Sequence, residues 1–386
     1  MLLHDRDTNE LEIADDLVLR RTTSYSILAS ESSASVAVNQ AIACALKSRP
    51  KAFHYAQKHL RSLPPSIGHL SACKTLRELD LFGNELHSLP DEIEKLTLIE
   101  ICNLGNNHFG NIPNVLAAWT RLRKLLLFQN QLGDLSSCVT LSALTNLRIL
   151  NLNHNAITQL PPTIAALVHL EVLTLDHNQL RELPQAIGSC TNLVELRLGY
   201  NQLRKLPLEL GCLLKLKHLI VHRNRLVDLP ESLINLHATL EVLDIAGNEI
   251  RICPNKFHTL RLREFYAERN PFIERVPVRS THDNEVLTLK ELCARYAMNG
   301  CDPTTLRQRV QQSDRAKEIL MQCSQCRLCQ KFFLNTWLEC VEFIDIQRTF
   351  KRMTKTHHAS VPQRALLCSY ECFTSHGHPF FGVAFG

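Results

Sequence analysis

Leu147-Arg148-Ile149-Leu150-Asn151-Leu152-Asn153-His154-Asn155-Ala156-Ile157-Thr158-Gln159-Leu160-Pro161-Pro162-Thr163-Ile164-Ala165-Ala166-Leu167 carries the frame that decides the fold. Leu147, Leu150 and Leu152 point inward from a short strand and its flanks, and Leu160, Ile164 and Leu167 close the other side of one coil. An Asn holds the place of Asn155 at positions 84, 107, 130, 155, 178, 201, 224, 248 and 270, in steps of 23, 23, 25, 23, 23, 23, 24 and 22 residues. One coil cannot bury its apolar face alone, so its neighbours must supply the rest of the core. The Asn turns the chain after the strand, and its amide is placed to satisfy backbone groups of adjacent coils. Losing such a partner costs roughly 1–3 kcal/mol.

The frame L-x-x-L-x-L-x-x-N-x-L resembles the leucine-rich repeat family. The resemblance implies an α/β solenoid, a horseshoe of about nine repeats. Its strands would form a parallel sheet on the concave face, with loops and short helical segments on the convex face. The outward strand residues then form columns. The one between the last two Leu positions includes Leu126 and Arg197, the next runs through Phe82, Phe128 and His222, and the one just before the Asn holds His154, His177, Tyr200 and Arg223. Aromatic and Arg side chains so arranged suit protein recognition. Phe82 and Phe128 are expected to be exposed. Polar residues that the frame merely tolerates, or a metal held by His154 and His177, are the competing readings of the ridge.

The ends of the array depart from the frame. Residues 1–50 read as a flexible arm containing one apolar segment, Val36 to Leu46, of helical character. The solenoid and its N-terminal cap span 51–277, beginning with a degenerate coil whose strand half has decayed and which carries Lys58 at the Asn place. The two extra residues near Ser136 to Leu141 are expected in a convex loop.

Composition narrows the function classes. The 386 residues are 45% apolar and carry 43 basic and 38 acidic side chains, a net charge of +5 too evenly mixed to indicate a polyanion partner. No apolar run reaches the ~18 residues of a membrane span, and His4, Asp5, Arg6 and Asp7 interrupt the N-terminus where a signal peptide would be apolar. Of the 15 cysteines, Cys102, Cys190 and Cys253 stand singly where the frame accepts small or apolar residues. That pattern suits reduced thiols in a cytoplasmic protein, with the nucleus also open. No phosphate loop, nucleophile elbow or His-Glu-x-x-His helix occurs, so no enzyme activity is expected.

Beyond Pro277 the period stops. In 284–315, Leu289, Leu292, Cys293 and Tyr296 share one helical face, as a helix capping the last repeat would require. The string Thr288, Leu289, Cys293, Ala297 also resembles the elongin-C-binding box of ubiquitin-ligase substrate receptors. Pro303, Leu306 and Val310 resemble the adjoining cullin box, with Asp302 at a usually apolar place. The resemblance implies elongin C with cullin-2 or cullin-5 as partners.

In 320–375, Cys326 and Cys329 form a Cys-x2-Cys knuckle, followed by an extended run and by Cys368 and Cys372. Two short chelating pairs suit a structural Zn²⁺ in a treble-clef-like module, the second pair resembling FCS-type zinc fingers. Cys323 offers an alternative register, and His357, His358, His376 and His378 are substitute ligands. Residues 376–386 read as a tail. The combination resembles the leucine-rich repeat-containing protein 58 and 28 type. It implies a substrate receptor of an elongin-B/C cullin-RING ligase, the alternative being a plain intracellular signalling scaffold. Arg348, Lys351, Arg352, Lys355 and Arg364 read as a solvated loop rather than a nucleic-acid surface.

Overall fold

Each coil needs only one strand residue buried, and the strands are accordingly three residues long. The computed structural model describes residues 35–273 continuously and, beyond them, 295–296, 298–299, 323–334, 338–345, 352–353, 360–368, 372 and 381–382. It divides into two units, Met1–Glu195 and Leu196–Gly386.

In the first unit, Ala52–His54 (β1), Glu78–Asp80 (β2), Ile101–Asn103 (β3), Lys124–Leu126 (β4), Ile149–Asn151 (β5) and Val172–Thr174 (β6) pair in that order, all parallel. Register aligns Leu79, Cys102, Leu125, Leu150 and Leu173 in one fully buried row. Cys102 is therefore a core residue, and burial drives its thiol pKa far up.

The return limbs begin at the Leu-Pro steps. Pro64, Pro90, Pro161 and Pro184 are extended, and each opens a 3-10 turn in which the N–H three residues on donates to the Pro carbonyl, as Ile164 does to Pro161 at 3.1 Å. A fixed φ and a missing N–H cost nothing at that position. In the lengthened repeat the turn becomes a short α-helix, Thr140–Ala143, so the expected loop is partly helical.

Before β1, residues 35–48 form a helix whose Val38, Ile42 and Ala45 are buried at helical spacing. The described part of the arm expected over 1–50 is thus a helix that covers the first coil, with Cys73 Sγ donating to Ala45 O at 3.5 Å. The degenerate coil does keep its strand, β1. In place of an Asn of its own, its Lys58 and Leu60 N–H groups donate to Asn84 Oδ1 of the next coil at 3.0 and 3.2 Å.

The unit boundary falls within Glu195–Arg197 (β7). In the second unit His218–Ile220 (β8), Val242–Asp244 (β9) and Glu264–Tyr266 (β10) repeat the parallel pattern around Leu219, Leu243 and Phe265. The C-terminal segment adds Ser324–Gln325 (β11), Phe332–Phe333 (β12), Leu338–Asp345 (β13), Arg352–Met353 (β14), Ser360–Leu367 (β15) and Phe381–Gly382 (β16). β11 pairs with β12, and β13 with both β15 and β16, all antiparallel, whereas β14 joins β10 in parallel. The stretch read as a tail thus contributes a strand. Among the described residues no helix is long and apolar enough to cross a membrane.

Candidate functional site

The outward columns divide into side chains that hold the backbone and side chains that do not. Asp80, Asn103 and Asn151 each accept from the N–H two residues on, at 3.0–3.1 Å, and are committed to the fold. The column before the Asn is left-handed throughout the first unit: Gly83, Asn106, Gln129, His154 and His177 have φ between 52° and 67°. This turn aims each N–H at the next coil, as from His154 to Asp176 O at 2.8 Å. A left-handed residue with a Cβ is disfavoured by roughly 1–2 kcal/mol, so the turn, not the side chain, sets the conformation. The Gly and Asn in the column were the sequence signal for it.

The turn presents His154 and His177 to solvent as a stacked pair, centroids 4.2 Å apart and planes at 10°. Imidazole lone pairs lie in the ring plane, so two parallel rings at this spacing cannot converge on one ion. Phe82 and Phe128 correct the expectation of free aromatics: both are half-buried, stacked with centroids 5.8 Å apart. Gly105 lies between them in the column, and a Cβ there would come within 2.5 Å of the Phe128 ring. The missing side chain is what lets the rings meet.

In the second unit Tyr200 and Arg223 are also left-handed, at 53° and 54°. Tyr200 is exposed and meets His222 edge-on at 5.2 Å, while His222 Nδ1 lies 3.1 Å from Asp244 Oδ2. Arg197 and Arg223 are exposed.

The C-terminal segment brings Cys326, Cys329, Cys368 and Cys372 together, their sulfurs all within 4.8 Å of one another. Cys323 is not in the group. Local backbone explains the convergence. Cys326 N–H donates to Lys331 O at 2.8 Å and Gln330 N–H to Cys326 O at 3.1 Å, with Gln330 left-handed at 62°. This closes the knuckle between β11 and β12, and Cys368 follows directly on β15. Cys329 Sγ is 3.5 Å and Cys372 Sγ 3.7 Å from Cys368 Sγ. A tetrahedral thiolate site with bonds of ~2.3 Å has sulfur–sulfur edges of ~3.8 Å, so the donor set fits a metal ion. Burial opposes ionisation of Cys326, but N–H groups of Cys329, Cys368 and Leu328, with the Cys329 thiol, outweigh it and bring the pKa to about 7.

Thr288, Leu289, Cys293, Ala297, Pro303, Leu306 and Val310, like the four substitute histidines, lie outside the described residues. What sequence reasoning missed is how the Cys-rich segment is held. Cys253 N–H donates to Pro362 O and Arg364 N–H to Cys253 O, both at 2.8 Å. Arg364, grouped by sequence with a basic loop, is instead spent on Glu231 and Asp228 at 2.7 Å each. Burial pushes the Glu231 carboxyl upward, against the opposing pull of Arg364.

Sequence models of the leucine-rich repeat match residues 75–96 and 140–207. This chain carries leucine-rich repeats. The leucine-rich repeat protein is 38% identical to leucine-rich repeat-containing protein 69 of Xenopus laevis over 136 residues, 35% of this chain and 39% of that protein. It is 36% identical to the Homo sapiens protein of the same name over 126 residues, 32% of this chain and 36% of that one. It spans less than half the length of these relatives, which are of the 69 type and not of the expected 58 and 28 type.

Among solved structures it is similar to the ectodomain of the plant membrane receptor kinase GASSHO1/SCHENGEN3 from Arabidopsis thaliana, solved in complex with Casparian strip integrity factor 2. The TM-score is 0.50 at 37% identity, over 57% of this chain and 27% of that one. The Toll–Spatzle complex of Drosophila, with TM-score 0.50 and 22% identity over 58% and 32% of the chains, shows the same fold.

Proposed function

We propose that this leucine-rich repeat protein is a non-enzymatic adaptor that binds a protein target on the outward faces of its strands. One observation carries the reading. In the first unit Ile101, Leu126, Ile149 and Val172 stand part-exposed on the outward side of the strands, beside the stacked Phe82–Phe128 and His154–His177 pairs. The buried row is complete without them, and apolar and aromatic surface of this kind is characteristic of interaction sites. The similar plant ectodomain, also built of leucine-rich repeats, was solved with a factor bound.

At finer grain the adaptor is read as a substrate receptor of an elongin-B/C cullin-RING ubiquitin ligase. The box-like sequence supports this, as do the contacts of its described residues. Arg295 donates to Cys368 O at 2.9 Å, and Asn299 clasps Phe332, donating to its O at 2.8 Å and accepting from its N–H at 2.7 Å. Tyr296, which by sequence spacing alone would share a helical face with Leu289 and Cys293, is 73% exposed. The ion assigned to the four cysteines is Zn²⁺, for which four thiolates make a closed, structural site.

The test is affinity capture of the intact chain, of Leu289→Ala with Cys293→Phe, and of Leu126→Glu with Ile149→Glu, read by mass spectrometry. Elongin and a cullin should be lost only with the first double variant, and target proteins only with the second. Absence of elongin from the intact capture leaves the plain scaffold; targets that persist on the second variant overturn the binding face.

A further inference from the structure

The four-cysteine centre is wired to the last repeat through a closed ring of polar side chains. Arg327, inside the knuckle, donates its N–H to Leu366 O at 2.9 Å and reaches Glu342 Oε2 from Nη2 at 3.2 Å. The same Nη2 lies 3.3 Å from His258 Nε2, in the 3-10 turn Phe257–Thr259 of the repeats. His258 then meets Gln363, which is fully buried: the backbone N–H of His258 donates to Gln363 Oε1 at 2.9 Å and Nδ1 lies 2.8 Å from the same oxygen. Gln363 Nε2 closes the ring by donating to Glu342 Oε2 at 3.0 Å.

Chemistry orients every member. A backbone N–H can only donate, so the Gln363 atom facing it is the oxygen, and Nδ1 of His258 must also donate to it. His258 Nε2 is then left as an acceptor, and a guanidinium, which has only donors, is the partner it has.

We propose that divalent metal in the four-cysteine site latches the C-terminal strands onto the end of the repeats, so that metal occupancy decides whether the last repeat is covered. The inference rests on reading the cysteines as a metal site. The knuckle is a short turn closed by Cys326 N–H to Lys331 O and Gln330 N–H to Cys326 O, and without the ion its four close sulfurs add only weak thiol hydrogen bonds to tie it to Cys368 and Cys372. Arg327 is placed by that turn. When the turn loosens, Arg327 withdraws from both Glu342 Oε2 and His258 Nε2, the ring opens, and the remaining bonds of the buried Gln363 to His258 and Glu342 lose the partner that held both ends in place. Undocking strips β14 from β10 and frees both backbone groups of Cys253, leaving an open sheet edge.

The test uses the full chain and Zn²⁺ itself. Bound zinc is counted with a chromogenic indicator, and amide exchange is followed by mass spectrometry for zinc-loaded protein, protein stripped by a chelator under reducing conditions, and zinc-loaded Gln363→Ala. One zinc per chain is expected. Stripping should speed exchange at Cys253 and His258 at least tenfold and leave residues 75–190 unchanged. Gln363→Ala should keep its zinc and show the same local rise, which separates the latch from general unfolding. Zinc bound with exchange unmoved by stripping, or unmoved in Gln363→Ala, overturns the latch and leaves the metal site standing. A chain that takes up no more zinc than Cys368→Ser with Cys372→Ser overturns both.

Discussion

Replacing Asn107 with Ala probes the Asn ladder where the structure gives the fullest account of what is lost. Its amide is buried, with Oδ1 accepting from Leu86 N–H at 3.0 Å and Nδ2 facing the carbonyls of Leu81, Leu104 and Gly105 at 3.1 Å each. The carbonyls are not stranded equally. Leu81 O keeps Asn84 Nδ2 at 2.9 Å, and Leu104 O keeps Asn130 Nδ2 at 3.0 Å. The Leu86 N–H depends on Asn107 itself. One orphaned buried donor costs about 1–3 kcal/mol, and the net worth of the donated bonds adds ~1 kcal/mol, so the variant should lose about 2–4 kcal/mol.

Urea unfolding followed by circular dichroism measures the loss against Gln179→Ala, an exposed position in the same unit. Repeat arrays fray locally, so amide exchange at Leu86 is read in parallel. A midpoint equal to that of Gln179→Ala, with Leu86 still protected, would refute the argument that this amide closes the gap between coils.

Three further outcomes follow from the same geometry. Gly211→Ala puts a Cβ 2.5 Å from the Ser232 carbonyl oxygen, a backbone atom that cannot swing aside, and should cost about 1–3 kcal/mol in thermal melts. Gly110→Ala, with nothing within 4 Å and no positive φ, should be neutral or stabilising by up to ~1 kcal/mol. Glu85 is held below the usual carboxylate range by hydrogen bonds from Arg61 and then His59. Its contribution to stability is present above the ordinary Glu value and vanishes as pH falls through the lowered one. Glu85→Gln should therefore be slightly less stable than the parent at pH 7 and approach it as pH falls through the lowered Glu85 value, and raised salt should shrink the gap, because the pair faces solvent.

The solenoid was legible because its information is short-ranged and repeated. Leu150, Leu152, Asn155 and Leu160 say in one coil what the other frames say again, and a coil of that pattern has only its neighbours to pack on. Cys326, Cys329, Cys368 and Cys372 were legible for a related reason: two-residue and three-residue spacings leave each pair little freedom but to share a site. Less legible was the fate of the outward columns. Phe82 and Phe128 are 46 residues apart in sequence, and only the bare Cα of Gly105 between their coils lets them stack. His154 and His177 became a stacked pair because a left-handed turn, needed by the backbone, aimed them alike.

By itself, then, the sequence determined the period, the inward rows and the Asn ladder. Each of these is set by spacing within a coil or by the match between one coil and the next. The tertiary structure alone decided where the Cys-rich segment rests. His258 and Gln363 are 105 residues apart, and Arg364 lies 133 residues from Glu231. No periodicity links such positions. They meet because buried polar groups must find partners wherever the folded chain brings them, and that requirement is written in three dimensions only.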